Sequence, residues 1–72
     1  MQHTVIYPAI EAQRRAQGYT RERMADLMGL SLNALRYKMQ GRFPWTWPEI
    51  KTAKKILNYQ GAIENMMQEA RL

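Results

Sequence analysis

RERMADLMGLSLNALRYKMQ, residues 21–40, reads as two short helices joined by a tight turn. Ala25, Gly29, Leu30 and Leu35 fall at the spacings that let two helices cross closely. Gly29 stands where the first helix must stop and reverse, a place that favours a left-handed backbone conformation open to glycine at almost no cost. Ala25 is small enough for the second helix to approach the first, and Leu30 and Leu35 can fill the angle between them. The second helix then presents Asn33, Arg36 and Tyr37 outward. Two helices joined steeply by a glycine turn form a helix-turn-helix unit, a common means of carrying a helix into the DNA major groove.

Working outward, five helices account for nearly the whole chain, and the expected fold is all-α without paired strands. The first helix spans about residues 7–17, with Pro8 in its first turn, where a missing N–H does no harm. Ile6, Ile10, Ala9 and Ala16 give it an apolar side, and Gly18 ends it. Thr20 caps the second helix, residues 21–28, and Ser31 caps the third, residues 32–39, each hydroxyl accepting from a free first-turn N–H. Gly41 breaks the third. Thr46-Trp47-Pro48-Glu49 fits a capping box for the fourth helix, which runs to about residue 57, with Trp45 and Ile50 placed as a hydrophobic staple. Ile50, Ala53, Ile56 and Leu57 mark its buried stripe. Ile63, Met66, Met67 and Ala70 give a fifth helix, about residues 60–69, one apolar face. Residues 1–5 are expected to fray.

With 72 residues the chain is read as one small helix-turn-helix domain. It has no cysteine, so disulfides and cysteine-ligated zinc are excluded. His3 is its only histidine, and no metal or other cofactor is expected. The start, MQHTVIYPAI, shows no basic segment followed by a long apolar run, and no apolar stretch approaches the roughly 18 residues of a membrane span. A cytoplasmic protein is expected, with no membrane partner and no small-molecule ligand.

The formal net charge is +5. Arg36, Lys38, Arg42, Lys51, Lys54 and Lys55 stand against Glu49 alone between residues 36 and 55, whereas residues 59–72 are near neutral. A basic cluster of this kind suits a polyanionic partner. Glu11, Glu22, Asp26, Glu49, Glu64 and Glu69 are scattered, with no nucleophile–base pairing and no glycine-rich phosphate loop, so catalysis is not expected.

With the motif in place, residues 18–57 resemble the lambda-repressor-like family of small phage and bacterial DNA-binding domains, which includes the Cro proteins. The matching features are Gly18-Tyr19-Thr20, Ala25, Gly29, Leu30-Ser31, Leu35, Gly41 and the Glu49-Ile50 helix start, and the resemblance covers about residues 10–57, most of the chain. The resemblance implies a compact five-helix domain whose third helix enters the major groove. The chain departs from the family pattern at several places. Arg21 and Leu32 stand where many members carry Gln, and Lys38 where many are apolar. Arg14 matches an arginine that in relatives often pairs with an acid near the end of the third helix. Here that position is Met39, so the ion pair is not carried over.

These observations lead to a sequence-specific double-stranded DNA-binding transcriptional regulator, a repressor or Cro-like protein of phage or mobile-element type. Arg36 is the leading base reader, because a guanidinium can bond guanine O6 and N7 together, and Asn33 can do the same for adenine. Leu32, Tyr37 and Gln40 complete the expected base-contacting set. Thr20, Arg21, Ser31, Lys38 and Arg42 suit phosphates, helped by the helix N-termini. Phe43, Trp45 and Trp47 could serve as a base-stacking platform but are expected to pack. A homodimer through the C-terminal helix, using a methionine and Leu72, would set two recognition helices about 34 Å apart. The rival is a protein-interaction module of anti-repressor type that keeps the fold without DNA, with Leu32 and Tyr37 as apolar anchors.

Overall fold

A computed structural model describes residues 5–71. Its elements follow in the order β1 (Val5–Ile6), α1 (Pro8–Ala16), α2 (Arg21–Met28), α3 (Leu32–Met39), α4 (Trp47–Ile56), α5 (Ile63–Met66) and β2 (Ala70–Arg71). Three helices start as their sequences dictate. The Thr20 hydroxyl accepts from the Arg23 N–H at 3.0 Å and the Ser31 hydroxyl from the Ala34 N–H at 3.1 Å. At α4 the capping box is complete: Thr46 accepts from the Glu49 N–H at 3.3 Å, and the Glu49 carboxylate accepts from the Thr46 N–H at 2.9 Å. Gly29 ends α2 at φ 70°, ψ 28°, the left-handed region. There the Leu30 N–H reaches back to the Ala25 carbonyl at 2.9 Å, closing the helix end before the chain reverses.

The core forms where the apolar faces meet. Ile10, Met24, Leu35, Leu57 and Met66 are fully buried, with Tyr7, Ala25 and Ala53 among them. Trp45, Ile50, Ile56, Met28, Leu30 and Met39 pack partly against this cluster. Helix α2 packs on both α3 and α4, and α5 packs on α1 and α4. The small residues act as the spacing requires, since Ala25 and Ala53 sit at the crossings with almost no exposure. The molecule is compact and mostly helical, with five helices among the described residues.

Two expectations need correction. The fold is not free of strands: Val5 pairs with Arg71 and Ile6 with Ala70 in a short antiparallel ribbon that joins the two ends of the described chain. Val5 is therefore held, its N–H also reaching the Gln40 carbonyl at 3.4 Å, and the expected fraying through residue 5 fails at that residue. Residues 1–4, His3 among them, lie outside the described residues. The second correction concerns the fifth helix, which is a single turn rather than ten residues. Its cap position is Ala62, which has no side-chain acceptor, and the chain must straighten after Met67 for Ala70 to reach Ile6. Ala70 thus belongs to the ribbon and not to a helix face.

Candidate nucleic-acid interface

Helix α3 carries the expected base-contacting residues, and its burial pattern sorts them. Leu35 is buried and Met39 half-buried, so the opposite side faces outward. Asn33, Arg36 and Gln40 are exposed and recur at i, i+3 and i+7, one row along the helix. Leu32 and Tyr37 flank this row and are half-buried. Arg36 forms no salt bridge among the described residues.

Arg36 and Gln40 also border a cleft of about 210 Å³ whose other walls include Ile6, Glu11, Arg21 and Met39. Arg21, an expected phosphate contact at the start of α2, is thereby brought beside the α3 row. It is held in place, its guanidinium donating to Glu11 at 2.9 Å. Glu11 in turn accepts from Arg14 at 2.8 Å, and Arg14 donates to the Tyr19 carbonyl at 2.6 Å. Burial works against the Glu11 carboxylate, but the hydrogen bonds and charges of Arg14 and Arg21 outweigh it and hold the pKa below the ordinary glutamate value. Arg14 is buried, so it locks α1 to the Tyr19–Thr20 turn rather than to α3.

Thr20 and Ser31 are exposed and already engaged as caps, each hydroxyl oxygen accepting from a backbone N–H. Arg42 is exposed, its guanidinium 5.5 Å from the Tyr37 ring centroid. Phe43 meets the same ring edge-on at 5.1 Å. Tyr37 is therefore covered on two sides and forms one unit with the loop after α3.

Lys38 does not reach this face. Its side chain is buried, and its ammonium donates to the Pro44 carbonyl at 2.9 Å and pairs with Glu49 at 3.0 Å. The expected phosphate contact at Lys38 is replaced by a strut between α3 and the start of α4. Of the three loop aromatics expected to pack, Trp47 is left open and Phe43 packs only on Tyr37. Trp45 packs, its indole N–H donating to the Lys38 carbonyl at 3.1 Å and its ring meeting Tyr7 edge-on at 5.9 Å. Phe43 and Trp47, however, are 47% and 57% exposed.

The Glu11–Arg14–Arg21 network was half visible, since Glu11 and Arg14 are an i, i+3 pair. The Lys38–Glu49 strut has no local signal, because it depends on how the loop returns. Among the described residues no helix is long and apolar enough to cross a membrane. The chain matches no protein-family model, no curated protein and no solved structure.

Proposed function

We propose that the protein is a sequence-specific double-stranded DNA-binding transcriptional regulator, a repressor or Cro-like protein of the lambda-repressor-like kind, with α2, the Gly29 turn and α3 as its helix-turn-helix. The observation that carries this reading is the exposed row Asn33, Arg36 and Gln40 on a helix whose other side is anchored in the core. A rigid helix that offers an amide and a free guanidinium in line suits the donor and acceptor pattern of the major groove. Arg21, Thr20, Ser31 and Arg42 surround the row with cations and capped N-termini suited to phosphates. The rival protein-interaction reading needs Leu32 and Tyr37 as free apolar anchors. Both are half-buried, and Tyr37 is covered by Phe43 and Arg42.

A domain of this size makes few base contacts, so two subunits on a near-palindrome would double them. The C-terminal helix contributes less to such a pairing than its sequence suggests, because Met66 is fully buried and Met67 partly packed on the core. Leu72 lies outside the described residues.

Selection from random duplexes tests the proposal. One sequence should be enriched, and its symmetry or lack of it reports the number of subunits. Arg36→Ala should weaken that duplex by about 1–3 kcal/mol and relax one base pair, whereas Arg42→Ala should weaken selected and random duplexes alike. A library that emerges unenriched would refute sequence-specific reading.

A further inference from the structure

Phe43 and Trp47 are the large apolar side chains left exposed among the described residues. They bracket the loop between α3 and α4. They stand four positions apart, so their Cα atoms lie within about 14 Å even at full extension. Cations accompany both. Arg42 adjoins Phe43, and Lys51 and Lys55 follow Trp47 at i+4 and i+8 on the outer side of α4, all three exposed. None of the three is in a salt bridge among the described residues. The acid of this segment, Glu49, is already engaged by Lys38 and by the Thr46 N–H. Aromatic rings held outward among unneutralised cations call for a partner that is anionic and has flat apolar faces.

We propose that this patch binds single-stranded nucleic acid, with Phe43 and Trp47 stacking on unpaired bases and Arg42, Lys51 and Lys55 following the phosphates. Stacking on exposed rings with a basic track beside them is how such strands are held without sequence preference. An acidic peptide shares the charge but anchors its apolar side chains in pockets. The clefts beside Arg36 and between α1 and α5 are lined by neither Phe43 nor Trp47. Phe43 and Trp47 present exposed ring surface. Trp47 starts α4 and lies outside the α3 row, so its part in this activity is separate from duplex reading by α3.

Tryptophan emission reads it directly. The chain has two tryptophans, and Trp45 is half-buried with its N–H engaged, so Trp47 is the more accessible to a ligand. Titration with an oligothymidylate of about 16 nucleotides should quench the emission, and the quench should weaken as salt rises. Trp47→Phe should keep the binding, followed by oligonucleotide anisotropy, while removing the quench. Trp47→Ala and Phe43→Ala should each weaken the oligothymidylate on the order of ten-fold, and Lys51→Glu should weaken it without touching either ring. The affinity of Trp47→Ala for the selected duplex should stay unchanged, which separates this activity from the proposed regulator function. No quench at low salt would overturn the inference. So would equal quenching by polyglutamate, which would indicate an acidic protein partner, or by a random duplex, which would place the patch on double-stranded DNA.

Discussion

Glu49 serves two elements with one oxygen. Its Oε1 accepts from the Thr46 N–H at 2.9 Å and lies 3.0 Å from the Lys38 ammonium. Burial pushes its pKa up, but the Thr46 N–H and the Lys38 ammonium together outweigh that and hold it below the ordinary glutamate value of 4.5. A depressed folded-state pKa gives stability that is complete above the unfolded value and is lost as pH falls through the folded one. Glu11 is shifted in the same direction, so both carboxylates contribute to acid destabilisation. Glu49→Gln should cost about 1–2 kcal/mol at neutral pH, the scale of a hydrogen bond to a charged group reduced for partial exposure. Urea melts taken at pH 7 and in the acid range should show the variant losing less stability than the parent on acidification. A variant with the parent's full acid dependence would mean that Glu49 is not linked to folding. Lys38 shows why residue roles resist sequence reading. Lys38 and Arg42 look alike as basic side chains near the end of α3. One turns inward because Pro44 and Glu49 happen to return beneath it, a fact set by tertiary structure and not by its neighbours in the chain.

At the scale of elements, the starts of α2, α3 and α4 were legible because capping is local. A hydroxyl and an N–H three residues on suffice to fix the boundary. The ribbon of β1 with β2 was not legible, since two-residue strands carry no periodicity and their partners lie at opposite ends of the described chain. Gly41 connects the two kinds of element. It takes φ +76° after α3, and a Cβ there would meet the Val5 Cβ at 3.0 Å. Gly29 has a similar φ of +70° but open space around it. Gly29→Ala should therefore cost only the left-handed conformation, about 1–2 kcal/mol. Gly41→Ala should cost measurably more, because β1 must also shift away from the end of α3. Chemical denaturation of the two variants side by side checks this. Equal losses would show that β1 does not press on Gly41.

At the scale of the molecule, the distribution of charge supports the proposed function more than its total does. The carboxylates nearest the basic segment are already committed, Glu11 to Arg14 and Arg21, Glu49 to Lys38. Arg36, Arg42, Lys51 and Lys55 are exposed and outside any salt bridge among the described residues. If this surface binds a duplex as proposed, counterions must be released from the DNA. The measurement that tests the central claim most directly is the affinity for the selected duplex as a function of salt. With Arg21 and Arg42 on phosphates, the plot of log K against log salt should fall with a slope of about −2 per bound subunit, and Arg42→Ala should make it shallower by about 1. The selected duplex should outcompete a random one at every salt concentration. An affinity indifferent to salt, or a selected duplex bound no better than a random one, would contradict the assignment of α3 as a DNA-reading helix.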